Sequence, residues 1–362
     1  MIFSRDPRDV FDVIVQTQTG KEAFSELPAC AYTGNSRKPP AASGPADARR
    51  PYAGCGGNQG GLAMDVRTLA EIPSWEWPSD AGTILLGVLR DAHGLEPDRA
   101  LAARLAGDLV IMSDEMADVL LSIIQNDGEP QQVRERAAIA LGPVLEEGDV
   151  QGFDDFEEVP ITEETYRRIR KTLHTLFDEA GMPDEVRRRV LEASVRAPER
   201  WHARALRTAW AGDDNRWKAT ALFGMGFVAG FDEEILEALE SPNPDLRYEA
   251  VVAAGRREID GAWPYIEEIV ESKPADKPLL LAAIDAAAGI RPEETRDLLQ
   301  DLADSRDEEI AAAAEEAISM ADALLTEGEE EEDEYEGEEG EEGEEDDEED
   351  DEDDEDDEDD DR

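Results

Sequence analysis

Apolar and polar positions along this chain follow a pattern that returns at steps of about thirty residues, the length of one repeat unit in many helical repeat proteins. In full, the pattern has an apolar residue, a basic residue, two variable positions, a small residue and another apolar residue, and some copies depart from it. The clear copies begin at Val133, Trp217, Leu246 and Leu280, and weaker copies begin at Val186 and Ile310. Such a period is typical of stacked helical units that bury their apolar faces against their neighbours.

Within each step, apolar residues at helical spacing predict paired helices from Ser79 to Leu325, joined by short links rich in Pro, Asn, Asp and Gly. The pattern therefore predicts an all-α, right-handed α-solenoid of about seven helix pairs. One acidic insertion, residues 148–160, has no helical period. We interpret its Phe153 and Phe156 as covering the neighbouring repeat, with a binding loop as the alternative.

The two ends of the chain differ from this array. Residues 1–63 hold both cysteines and are rich in Gly, Pro, Ala and Ser, so we expect a disordered extension, or else a true translation start at Met64. Residues 64–325 form the array. Residues 326–362 form a tail in which 30 of the last 36 residues are carboxylates. A run of this kind repels itself and buries no apolar surface, so we expect it to be disordered.

The overall charge and cysteine usage suggest a compartment. The formal net charge is −57, and the array is acidic even without the tail. No apolar run reaches the roughly 20 residues that span a bilayer, so we expect no membrane segment. An array without cysteine fits a reducing cytosol, and we expect a cytoplasmic protein. The sequence leaves the oligomeric state open, with a monomer as the expectation.

The repeat resembles the HEAT repeat, whose second helix typically starts with Asp, a hydrophobic residue and Arg and then continues through alanines to Gly. Residues 129–142 and 244–255 carry this pattern most fully. The resemblance covers roughly residues 80–325. In this range the chain is similar to bacterial HEAT-repeat proteins with no assigned activity. It implies a fold and says little about function.

A basic residue near the start of each second helix is predicted to form a structural ladder by bonding acidic groups or carbonyls of the adjacent repeat. The predicted members are Arg134, Arg187, Lys218 and Arg247. The last two copies have Leu281 and Ala311 at this position, so the ladder is expected to stop before them.

The sequence offers little catalytic chemistry. HEAT-like hydroxylases bind two irons through His-Glu pairs, but the three histidines here, His93, His174 and His202, are not followed by Glu. No nucleophile–base pairing, phosphate-binding glycine loop or metal-spaced cluster is found in the sequence. We therefore expect no catalytic residue, no metal and no cofactor.

One segment of the array, residues 167–218, is basic. It holds 13 arginines and lysines against eight carboxylates, together with three tryptophans. Basic residues between aromatic ones can bind nucleic acid, so a HEAT-like nucleic-acid binder or DNA glycosylase is the alternative function. The candidate binding patch consists of Arg187, Arg189, Arg200, Arg204 and Arg207. One exposed patch around a cleft would favour this alternative, whereas pairing with Glu and Asp would count against it.

The preferred interpretation is a non-catalytic scaffold or adaptor. We expect it to bind a protein partner, possibly a basic one, on the concave face of the solenoid, while nucleic acid is not the expected partner. The acidic tail would tune solubility or access, and we hypothesise that it folds back onto segment 167–218.

Overall fold

The computed structural model describes residues 65–153, 159–272 and 276–338, with side chains as far as residue 326. The predicted extension 1–63, the proposed start at Met64 and the tail beyond residue 338 lie outside the described residues. Phe156 lies outside them as well.

The described part of the chain is helical and contains no strand, which confirms the predicted all-α class. We label its α-helices in chain order. They are α1 Val66–Leu69, α2 Ala81–Arg90, α3 Glu96–Leu105, α4 Asp114–Gln125, α5 Gln131–Ile139, α6 Gly142–Val150, α7 Glu163–Asp178, α8 Asp184–Ser194, α9 Arg200–Trp210, α10 Asn215–Met225, α11 Asp232–Leu239, α12 Pro244–Arg256, α13 Trp263–Ser272, α14 Lys277–Ile290, α15 Pro292–Ala303 and α16 Glu308–Glu338.

These helices pack as antiparallel neighbours, and the described ranges contain seven such pairs, as predicted. The pairs are α2–α3, α4–α5, α7–α8, α9–α10, α11–α12, α13–α14 and α15–α16. The short α1 packs against the first pair, and α6 lies between the second and third pairs.

Local chemistry explains where several helices begin and how closely they pack. The Ser113 hydroxyl accepts a hydrogen bond from the Met116 backbone N–H at 3.2 Å and caps α4. Proline stands in the first turn of α3, α12, α14 and α15, where its missing N–H costs nothing. Gly224 lets α10 approach α9, because a Cβ there would lie 2.6 Å from Leu206 Cδ2.

The pairs form two layers of helices. Each second helix packs directly on the next second helix along the whole array, whereas several neighbouring first helices barely touch. Closer spacing in one layer makes a stacked array curve toward that layer. The free surface of the second helices is therefore the concave face.

The hydrophobic core consists of two clusters of buried residues. One runs from Val66 to Ala197, and the other runs from Leu191 to Ala321. The two clusters meet at α8, whose Val190 belongs to the first and whose Leu191 belongs to the second. Helix α8 therefore joins the halves of the solenoid.

Two elements differ from the sequence prediction. An additional helix, α6, starts before the insertion, with Pro143 in its first turn, and includes the first residues of the insertion. Residues 148–150 are therefore helical and not irregular. After α6, Phe153 packs against Tyr166 with ring centroids 5.1 Å apart, as expected of a covering side chain. Helix α16 continues to Glu338, past the end predicted at Leu325. Glutamate is a good helix former, so the first acidic residues extend the helix.

Candidate functional site: the concave face

Basic residues near the start of the second helices point to the C-terminal end of the first helix. Arg134 Nε donates to the Ile124 carbonyl at 2.9 Å, and Arg187 Nη2 donates to the Glu179 carbonyl at 2.8 Å. Both carbonyls belong to the same helix pair as the arginine, whereas the predicted partners were groups of the adjacent repeat. Arg134 also reaches the adjacent repeat, because its Nη2 donates to Met182 Sδ at 3.3 Å. Cations are favourable there because a helix end has unpaired carbonyls and partial negative charge.

The other predicted ladder positions behave differently. Lys218 Nζ lies 5.3 Å from the centroid of the Trp210 ring, at the end of its first helix. The half-buried Arg247 side chain makes no hydrogen bond to any described residue. An unpredicted arginine does join the ladder, since Arg99 Nη2 donates to the Leu89 carbonyl at 3.0 Å and also pairs with Glu129. The available signal was its place one repeat period before Arg134.

The five arginines of the predicted patch fall into two sets with different surroundings. Arg187 donates to a carbonyl, and Arg189 pairs with Glu192 at 2.6 Å. The other three are exposed on the first helix α9, and they are Arg200, Arg204 and Arg207. The five do not form one exposed surface around a cleft.

More than half of the cations of segment 167–218 are neutralised. Seven of the 13 make ion pairs with carboxylates, and these are Arg167, Arg168, Arg170, Arg188, Arg189, Arg196 and Arg216. Trp201 is likewise engaged, because it stacks on His174 with ring centroids 4.5 Å apart. Pairing of this kind counts against the nucleic-acid alternative.

The concave face carries a bridge that joins distant repeats. Glu146 on α6 pairs through one carboxylate oxygen with Arg196 Nη1 at 2.6 Å and through the other with Arg256 Nη1 at 2.7 Å. Arg196 follows α8, whereas Arg256 ends α12, 110 residues beyond Glu146. We call these three residues the Glu146 bridge. It crosses α10, which lies between α8 and α12.

Two aromatic rings support the bridge from α10 and the turn after it. The Arg256 guanidinium lies 4.1 Å from the Phe227 ring centroid, and the Arg196 guanidinium lies 5.4 Å from that of Phe223. Cation–π contact of this kind stabilises a desolvated guanidinium. The side chains of all three bridge residues are mostly buried, so the bridge is sheltered from solvent screening.

Beyond the bridge, carboxylates follow one another on three successive second helices: Glu249 on α12, Asp285 on α14 and Glu316 on α16. We call these the carboxylate row. Burial raises the pKa of Glu249 to about 8, with the Glu192 charge adding to the effect. Burial also raises the pKa of Asp285 to about 7, helped by the Glu316 charge. No ion pair or hydrogen bond of these three side chains is found within the described residues.

The buried histidine His202 has structural partners. His202 is fully buried, accepts a hydrogen bond from the Glu199 backbone N–H at its Nδ1 and lies 3.1 Å from Ser194 Oγ through its Nε2. Burial lowers the pKa of His202 to about 3, so this imidazole stays neutral.

Among the residues that the structure describes, no cluster of His, Cys, Asp and Glu is arranged to hold a metal ion. None of the helices described there is long and apolar enough to cross a bilayer.

Part of the array is similar to a known family of repeats. Residues 233–319 match the family described as HEAT repeats. This part of the chain is similar to HEAT repeats. The match runs from α11 into the first part of α16 and includes the carboxylate row. The residues 244–255, which carry the HEAT resemblance in the sequence, lie inside it. A HEAT-repeat fold suggests a scaffold or protein-interaction role.

The structure of YibA from Escherichia coli is 16% identical, with a TM-score of 0.37 over 70% of this chain and 85% of that chain. An engineered protein is also 16% identical, with a TM-score of 0.34 over 67% of this chain and 79% of that chain. No curated protein matches the chain.

Proposed function

We propose that this chain is a non-catalytic scaffold that binds a protein partner on its concave face, with lysines or arginines of the partner against the carboxylate row. The observation that supports this most is the state of Glu249 and Asp285. Both carboxyls are half-buried and have raised pKa values, and neither has an ion-pair partner among the described side chains.

A cationic side chain at this place would stabilise the ionised carboxylates, because an opposite charge nearby lowers a carboxyl pKa. Binding would then release protons near neutral pH. By linkage, the affinity for a basic partner would rise as the pH increases toward 8. A proton release of this kind is expected from Glu249 and Asp285, whose pKa values are raised.

Apolar surface beside the row would give the partner an anchor. Phe227, in the turn after α10, and Val252, on α12, are half-buried near Arg256. Interfaces combine such an apolar centre with charged groups at the rim. Because second helices pack along the whole array, an extended segment of the partner has a continuous surface to follow.

The test places a photoreactive benzoylphenylalanine at Val252 on the concave face or, as the matched control, at the exposed Glu268 on first helix α13. Each full-length variant is irradiated in an extract of the source cells, and cross-linked proteins are identified by mass spectrometry. We expect one basic protein to cross-link from position 252, not from position 268, and to be lost in the Glu249→Gln/Glu316→Gln variant. Equal cross-linking from both positions, or cross-linking that the double variant leaves unchanged, would contradict the proposal.

A further inference from the structure

Helix α9 presents a line of arginines to solvent. Arg200, Arg204 and Arg207 are spaced four and three residues apart, which places them on one side of the helix. All three are exposed, and no ion pair of any of them is found among the described residues. We call them the arginine ridge. Arg207 also lies over the Phe231 ring, 5.1 Å from its centroid, while Arg200 and Arg204 have no such contact.

A fourth cation lies beside the ridge on the neighbouring first helix. Lys171 is exposed on α7, one turn before His174. His174 stacks on Trp201 of α9, so α7 and α9 run side by side at this point. The other arginines of α7 are neutralised by carboxylates, as Arg170 is by Glu199 at 3.1 Å. Lys171 therefore widens the positive surface without a carboxylate partner among the residues described.

The first-helix layer changes sign immediately after α9. Helix α9 has three arginines and no carboxylate, whereas α11 has four carboxylates and no cation. Helices α13 and α15 continue the negative surface with acidic residues in excess. An anionic segment moving along this layer from the C-terminal end would be repelled until it reached α9.

The chain itself supplies such a segment. After Glu338, the end of α16, 24 residues follow, and 21 of them are Asp or Glu. Fully extended, 24 residues span up to about 80 Å. Helix α9 lies three pairs before α15 and α16, a separation of about 30 Å at roughly 10 Å per packed helix pair. The segment is therefore long enough to reach the ridge.

We propose that residues 339–362 dock on the arginine ridge of the same molecule through many interchangeable ion pairs. The ridge would then be covered against weak anions, while a strongly basic protein could compete for the acidic segment. Exposed ion pairs are individually weak and are screened by salt, so the docking should be reversible and salt-dependent.

The test compares amide NMR shifts of residues 339–362, segmentally labelled within the full-length protein, with those of the isolated 339–362 peptide. At about 0.05 M salt the two sets should differ, and at about 1 M salt they should coincide, since the Debye length falls to about 3 Å. The Arg200→Glu/Arg204→Glu variant should give the peptide's shifts already at low salt. These two arginines are exposed and unpaired among described residues, so the variant is expected to fold.

The control variant is Arg104→Glu/Arg306→Glu, which makes the same charge change at two exposed arginines away from the ridge. It should keep the low-salt shifts of the wild-type chain. The proposal is overturned if the full chain and the peptide give the same shifts at low salt, or if the control variant removes the difference as fully as the ridge variant. Shifts that grow with protein concentration would also overturn it, because they would show docking on a second copy.

Discussion

Replacing Glu146 by glutamine should test whether the Glu146 bridge couples the two halves of the solenoid. The substitution keeps the size of the side chain and removes the charge that holds Arg196 and Arg256. Their side chains are 8% and 16% exposed, and that of Glu146 is 15% exposed. Breaking a fully buried pair costs about 3–5 kcal/mol, and here the aromatic contacts and partial exposure remain, so we expect a loss of about 2–3 kcal/mol.

The assay is urea and thermal unfolding followed by circular dichroism. For a domain of this size, about 1 kcal/mol corresponds to a shift of about 2–4 °C in Tm, so Glu146→Gln should lower Tm by roughly 4–12 °C. Repeats in a solenoid contact only their neighbours, and cooperativity falls when a long-range link is lost. We therefore also expect a broader or divided transition.

The matched control is Glu163→Gln, which removes the partner of Arg167 in an exposed pair whose side chains are 48% and 68% exposed. Such pairs contribute about 0–1 kcal/mol, so this variant should unfold almost as the wild type does. The reasoning would be refuted if the two variants had the same midpoint and the same transition width. A double-mutant cycle with Arg256→Gln should give a favourable coupling energy, because the two side chains are in direct contact.

Three further predictions concern stability. Gly224→Ala should lower the free energy of unfolding by about 1–3 kcal/mol, because its Cβ would overlap Leu206, whereas Gly87→Ala, which meets open space in exposed α2, should raise it by about 0.5–1 kcal/mol. Urea denaturation separates the two signs, and two losses of equal size would contradict the packing argument. The contribution of Glu249 to stability should fall as pH rises from about 4.5 to about 8, because its folded pKa lies above its unfolded value, so the stability of Glu249→Gln relative to the wild type should rise over this range in urea titrations. The contribution of His202 should fall as pH drops from 6.5 toward about 3, because its folded pKa lies below its unfolded value, so the stability of His202→Gln relative to the wild type should rise as the pH is lowered through this range.

The helix pairs could be predicted from the sequence because their signal is local. Alanine, glycine and apolar positions repeat with the period of the units, and Pro and Ser mark helix starts such as that of α4 at Ser113. The ladder position of Arg134 could be found for the same reason. Its partner could not, because a pattern along the chain does not say whether a carbonyl of the same pair or of the next repeat is nearer.

The candidate site was less predictable because it depends on contacts across the array. Glu146 meets Arg256 only because the curvature of the second-helix layer brings α6 to α12, and no local signal marks a partner 110 residues away. Similarly, Arg189 and Arg204 look alike in the sequence. One has Glu192 beside it on its helix, whereas α9 supplies no carboxylate to the other.

The Glu146 bridge also bears on how this array could change in evolution. If whole repeats were duplicated or deleted, the carbonyl contacts of Arg134 and Arg187 would survive because each lies inside one unit. The bridge would not survive, since inserting or removing one unit between α8 and α12 would separate Glu146 from Arg256. Duplications should therefore be tolerated in the last repeats and disfavoured in the middle of the array, which gives this solenoid a segment of fixed repeat number.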